Sequence, residues 1–363
     1  MSEKITKQIE YAFASLNPYI QHNKVENVEK VMNGKDFIIW GEDNRYPDYL
    51  YGLYENCTTL QSVINGTADF ICGDDITMFD GRTVINQNGD TIEDILRKVA
   101  VDYLIYGGFA LQVIKNVFNK VTEIYWVDIN KLRSDAKNEV FFYSDDWSKS
   151  IGRVKTVIYP KFGKDDTNST SIFYFKSAKS RGTYPKPIYN ASIDSCEIER
   201  KVNQFHLNEI SNNFLGSKVV NFNNGVPEED MQNEIERKIN EKFTGSENAG
   251  RILIAFNDNK DNAVTVANLG EDGFADRYNA LAKRVESQIF TAFRATPNLF
   301  GLPTATTGFN EQEYNSAFKL YNRTCVKPAQ KAIIDVFDKI YGVKGSIIIK
   351  PFSLENKNEN NIE

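Results

Sequence analysis

Two histidines, His22 and His206, are all the imidazole this 363-residue chain offers, so Ser-His or Cys-His nucleophile chemistry has almost nothing to work with. His206 follows Phe205 in a helical stretch, a place for a packed or solvated ring rather than a general base. The four cysteines, Cys57, Cys72, Cys196 and Cys325, form no C-x-x-C pair; they fit reduced, half-buried thiols in a cytoplasm better than disulfides or a zinc site. Asp258, Asp261, Glu271 and Asp272 cluster loosely in sequence, a grouping that suggests ligands for a divalent cation. They lack the glycine and terminal glutamate spacing of a calcium loop, which makes a solvated acidic loop the plainer reading. Gly107-Gly108 and Gly301 with Gly308 are the glycine candidates for a phosphate cradle. Neither carries the Lys-Ser/Thr of a P-loop or a G-x-G-x-x-G at a strand-to-helix turn, so they read as ordinary turns. No cofactor and no metal are expected.

Two charged sets suit contact rather than catalysis. Glu228, Glu229, Asp230, Glu234, Glu236 and Glu241, joined by Glu247, outnumber Arg237, Lys238 and Lys242 over residues 226–250. Three acids directly after Pro227 suit the positive end of a helix dipole, and together the acids make this stretch an acidic knob. The second set lies on a long helix expected from about Gly273 to Thr296 and stopped by Pro297, roughly 36 Å at 1.5 Å per residue. Phe274, Tyr278, Leu281, Val285, Ile289 and Phe293 recur at spacings of three and four as its apolar stripe. Arg277 and Arg284 lie seven apart on another face, extended by Arg294. They form either an exposed face with pairs such as Lys283 or Arg284 with Glu286, or a cationic stripe meeting phosphates or a neighbouring subunit.

The elements that must position these residues follow from pattern. At 41% hydrophobic and 25% charged residues the chain is an ordinary globular one, long enough for two or three domains. No run approaches the roughly 18 to 20 apolar residues of a membrane span. No apolar signal core follows the N-terminus, so export is not expected, and five N-x-S/T sequons read as chance in an Asn-rich chain. A net charge of −6 disfavours tight sequence-specific DNA binding but leaves room for weak, sliding contact.

Residues 1–36 read as an N-terminal arm with helical spacing at Ile5, Ile9 and Phe13. Helices are expected over Pro47–Asn56 and Thr58–Ile71, then short strands around the turns Asp80-Gly81 and Asn88-Gly89. Thr91 caps a helix to Tyr106, with Glu93 and Asp94 in its first turn. Strands follow at 109–115, 123–128, 140–143, 154–159 and 172–175, giving an α+β module with a β-rich second half. Pro185 and Pro187 enforce an extended connector before a helix at about Ser192. A final helix from about Asn310 to Tyr341 contains Pro328, which should kink or split it near Thr324; the strand Ser346–Lys350 precedes a polar tail.

Read in order, the second half resembles the portal proteins of tailed double-stranded DNA bacteriophages. The matching residues are Tyr184-Pro185-Lys186-Pro187-Ile188-Tyr189 entering a helix, then Asn221-Phe222-Asn223-Asn224-Gly225-Val226-Pro227. An acidic helix ending Phe243-Thr244-Gly245-Ser246-Glu247-Asn248-Ala249-Gly250 follows, and the long helix closes on Ala295-Thr296-Pro297-Asn298-Leu299-Phe300-Gly301. Tyr106-Gly107-Gly108-Phe109-Ala110 is similar to the family's N-terminal half, which otherwise matches only in outline.

The resemblance implies an α+β portal-like fold and a homo-oligomeric ring, normally of twelve subunits, at one capsid vertex. It assigns 37–189 to a wing, 190–217 and 269–299 to the two stem helices, 218–268 to a small α/β clip inserted between them, and 300–312 to a tunnel loop. Residues 313–352 would be a kinked C-terminal wing helix and strand, 353–363 a disordered tail, and an extended crown is not expected. Channel candidates on this scheme are Arg277, Arg284, Arg294, Thr304, Thr306, Thr307 and Asn310. The acids from Glu228 to Glu241 would dock the terminase large subunit first and a head-tail adaptor later. Major capsid and scaffolding proteins are further implied partners, and DNA would pass non-specifically. The place would be the virion, and the host cytoplasm during assembly. Two other classes compete: a metal-dependent nucleic-acid enzyme using the 258–272 acids, and a generic oligomeric scaffold without a channel.

Overall fold

A computed structural model describes residues 28–31, 36–148, 154–164, 169–211, 218–222, 227–243, 252–256, 274–302 and 311–353. The fold is α+β, and the chain divides into two compact units. One contains Asn23–Ile198 and Arg284–Glu363; the other contains Glu199–Lys283.

In the larger unit, strands β1 (Glu29–Val31) and β2 (Ile38–Trp40) precede helices α1 (Tyr46–Asn56) and α2 (Thr58–Cys72). Residues 29–31, expected within the arm, instead pair with β2 as the edge of a sheet. Helix α2 buries Leu60, Val63, Ile64, Ala68 and Ile71 along one face, the stripe its sequence spacing demands. Helix α3 (Ile92–Tyr106) starts in a capping box: Asp94 N–H donates to Thr91 Oγ1, and the Asp94 carboxylate accepts from the Thr91 backbone. Gly107, at φ 81°, closes it.

Strands β4 (Gly108–Lys115), β5 (Val121–Val127) and β9 (Thr170–Lys176) form an antiparallel sheet with β4 central. β6 (Leu132–Ser134), β7 (Val140–Tyr143) and β8 (Val157–Pro160) extend the first sheet in the order β1-β2-β6-β7-β8. Between them sits a core of Ala110, Val127, Leu132, Phe141 and Ile172. The strands expected around Asp80-Gly81 and Asn88-Gly89 are a correction. Only β3 (Asp75–Met78) forms, and its partner is β12 (Ile347–Lys350), at the other end of the chain. The turn residues are there, but Val84 makes only an isolated bridge with Thr91.

Helices α7 (Glu311–Tyr321) and α8 (Lys327–Tyr341) are joined by a π-helical turn, Asn322–Val326. Pro328 in an α-helix would clash with the carbonyl of Thr324. The wider turn, with Lys327 N–H reaching back to Asn322 O, relieves that clash without ending the helix. Tyr321 OH shares a 2.7 Å hydrogen bond with Thr67 Oγ1, and Gln330 Nε2 donates to Ile71 O at 2.9 Å, so both helices pack on α2.

In the smaller unit, β10 (Lys218–Phe222) and β11 (Ile252–Phe256) pair in parallel. Helix α5 (Glu229–Phe243) lies between them in sequence, the crossover that parallel pairing requires. Helices α4 (Ile193–Ser211) and α6 (Phe274–Phe293) flank this insert in the chain.

Candidate channel and docking surfaces

The Pro-rich connector is anchored along its length. Tyr184 is fully buried. Its ring stacks on Trp40, and its hydroxyl donates to Ile38 O while accepting Ser134 N–H at 3.1 Å. Tyr189 is also fully buried; it donates to Ile105 O at 3.1 Å and stacks on Phe293 of α6. A Cβ on Gly107 would sit 1.9 Å from Lys186 O, and one on Gly108 2.5 Å from Phe175 O. This glycine pair therefore lets the connector cross the start of β4, and the space above it is filled by the chain's own backbone.

The roots of α4 and α6 are fastened together by Gln288, whose carbonyl accepts from Ser192 Oγ at 3.1 Å and whose Oε1 accepts from Ser195 Oγ at 2.8 Å. Helix α6 buries Val285, Ile289, Phe290 and Phe293 and leaves Arg284 exposed on the other side. No ion pair joins Arg284 or Lys283 to Glu286 among the described residues. Arg277 lies in α6, but its side chain is outside the described residues.

Arg294 departs from expectation. The helix ends at Phe293, not at Pro297, and Arg294 is exposed with φ 56°. Arg294 N–H donates to Thr291 O and Ala295 N–H to Phe290 O, both at 3.0 Å, the Schellman closure with arginine where glycine is usual. That left-handed conformation costs a non-glycine residue about 1–2 kcal/mol. Arg294 thus caps the helix and does not extend the Arg277–Arg284 face.

Helix α5 carries Glu229 and Asp230 in its first turn, and Glu228 O accepts the N–H groups of Met231 and Gln232. Glu228, Glu229, Asp230 and Glu234 are exposed. Lys238 pairs with Glu234 at 2.7 Å and holds its carboxyl below the usual range. Glu236 and Glu241 belong to α5, with side chains outside the described residues. Thr304, Thr306, Thr307, Asn310, Gly308, His22 and the acids at 258, 261, 271 and 272 all lie outside the described residues. His206 is exposed. Cys57, Cys72 and Cys196 are more buried than half, and burial pushes the Cys72 thiol up to about 11; only Cys325 is partly exposed.

Sequence reading missed Arg133. It is fully buried, with Nε donating to Asn44 Oδ1, Nη2 to Asn44 O and Nη1 to the carbonyls of Asn130 and Leu132. Its guanidinium stands 4.8 Å from the Trp147 ring and 5.8 Å from that of Trp40. Burial lowers its pKa to about 10, so it stays charged at neutral pH. The cation fixes the Gly41–Arg45 turn, in which Asn44 has φ 63°.

A family model described as phage portal protein matches residues 86–348. The chain belongs to this family. Its fold resembles a chain in the neck of a native gene transfer agent particle computed with C12 symmetry, at TM-score 0.51 and 15% identity over 86% of each chain. The neck of the empty particle, computed with C6 symmetry, gives TM-score 0.50 at 15% identity over the same shares. An HK97-family phage portal protein from Corynebacterium diphtheriae gives TM-score 0.50 at 10% identity, over 83% of this chain and 95% of that one. At such identities the likeness is one of fold. No curated protein sequence matches this phage portal family member.

Proposed function

We propose that this chain is a structural subunit of a phage portal ring, set at one vertex of the virion, through which double-stranded DNA enters during packaging and leaves on ejection. The observation that carries the proposal is the family match over residues 86–348. The shared fold with a neck chain solved under twelvefold symmetry supports a ring of about that order.

On this reading residues 37–189 with 313–352 form the wing, and 190–217 with 269–299 the stem. Residues 218–268 form the clip, and 300–312 the loop facing DNA. Exposed Arg284, with Arg277 and Arg294, would meet the phosphates as weak, separated contacts. A conduit must let DNA slide, and a net charge of −6 keeps its grip loose. The exposed acids of α5 would receive the basic surface of a packaging motor, and later of a tail adaptor. ATP hydrolysis would then belong to the motor.

Light scattering and negative-stain microscopy of the purified protein test this. Rings with a central hole are expected; a strictly monomeric species at high concentration, or oligomers without a hole, would overturn it.

A further inference from the structure

The β4–β5 connection presents two of the most exposed apolar side chains among the described residues: Val117 is 95% and Phe118 79% exposed. The turn beneath them is stiff. Asn116 Oδ1 accepts the N–H groups of Phe118 and Lys120, both at 3.0 Å, and Asn119 closes the turn at φ 60°. A preordered apolar tip loses little conformational entropy on docking. Lys115 and Lys120 flank it, with no acid between them.

A matching surface lies on α1. Asp48, Tyr51, Gly52 and Glu55 share one helix face by their spacing. Tyr51 is exposed, and its ring lies tilted at 45° to that of Tyr54, 5.8 Å between centroids. A Cβ on Gly52 would meet nothing within 4 Å, so this mid-helix glycine leaves a dent beside Tyr51 and Glu55. Glycine there costs the helix about 1 kcal/mol relative to alanine, and no neighbour among the described residues requires it. From residue 42 to 55 the acids Glu42, Asp43, Asp48 and Glu55 outnumber one base, Arg45, which pairs with Asp48 at 3.0 Å.

Tip and dent sit at opposite ends of β5. Asn130 Nδ2 donates to Asp48 Oδ1 at 2.7 Å, tying α1 to the segment just after Val127. The tip instead precedes Val121, roughly 20 Å away at about 3.3 Å per residue. A subunit's tip therefore does not reach its own α1.

We propose that the Val117-Phe118 tip of one copy seats in the Tyr51-Gly52-Glu55 face of the next, a basic-apolar knob in an acidic aromatic hole. Such a contact is heterologous, the kind that closes rings, and it rests on the ring reading given above.

The test uses full-length protein and follows assembly by mass photometry across concentration. Val117→Ser with Phe118→Ser should need about tenfold or more protein to reach half assembly, with an unchanged thermal midpoint because both side chains are on the surface. Lys120→Glu and Glu55→Lys should each weaken assembly, and the two together should restore it. A mixture of Phe118→Cys and Gly52→Cys proteins should form disulfide-linked dimers under mild oxidation, which neither gives alone. If wild-type rings form but the serine pair assembles as wild type, or the mixture gives no cross-link, the contact is wrong and the ring stands. A tip serving another protein or DNA would give that same result. A wild-type chain that stays monomeric at every concentration removes the ring and the contact together.

Discussion

Tyr184 lies flat on Trp40, their ring centroids 4.4 Å apart and their planes within 3° of parallel. The stack joins the Pro-rich connector to β2, and the tyrosine hydroxyl ties the same point to β6 through Ser134. Tyr184→Phe keeps the stack but strands Ile38 O and Ser134 N–H in the core, at about 1–3 kcal/mol. Tyr184→Ala should cost about 3–5 kcal/mol. Denaturant unfolding of both variants orders the two losses.

Gly107 answers to two demands at once, a left-handed φ and the close approach of Lys186 O. Gly107→Ala should destabilise by more than the roughly 1–2 kcal/mol of the backbone conformation alone, because the connector must also move. A lowered thermal midpoint together with faster proteolysis near Pro185 is the expected signature.

Asp102 is buried on α3, accepting a 2.8 Å hydrogen bond from Trp126 Nε1. Burial, reinforced by the Asp128 charge, raises its pKa well above the ordinary value. The folded state therefore holds a proton that the unfolded chain releases near pH 4. This contribution to stability is complete below that pH and is lost as pH rises through the folded pKa. Asp102→Asn can still accept from Trp126, so the variant should melt above wild type at pH 8. The gap should close as pH falls toward 4, as calorimetry over that range would read.

Arg294→Gly relieves the left-handed strain and should raise stability by up to about 1 kcal/mol. Arg284→Gln, on an exposed face, should move it by less than about 0.5 kcal/mol. If these cations meet DNA in the channel, both variants should form rings yet package or retain less DNA in an assembly assay. Rings that fall apart would instead mark them as contacts between subunits.

Where a signal is local, the sequence carried it. Thr91 announced the α3 cap, although the reciprocal role of Asp94 shows only in the folded chain. Pro328 told where the last helix gives way, and the chain answers with a π-helical turn in place of a sharp kink. Arg294 misled because the helical pattern runs on past Phe293 while the backbone turns left-handed, a change with no compositional mark when the residue is not glycine. Arg133 was illegible for another reason. Nothing around it says that Trp40 and Trp147, far apart in sequence, will wall in a cation. Glu228, Glu229, Asp230 and Glu234 around the start of α5, and Arg284 on α6, stand exposed; what meets them is not written in spacing.

The pairing of β3 with β12 joins segments some 270 residues apart. A ribosome adding about 5–20 residues per second leaves β3 waiting on the order of tens of seconds for its partner, with an open strand edge in the interval. Contacts of such sequence separation also form slowly. A chain interrupted before Ile347 keeps that edge unpaired, so β3 finds its partner only once Ile347–Lys350 has been made.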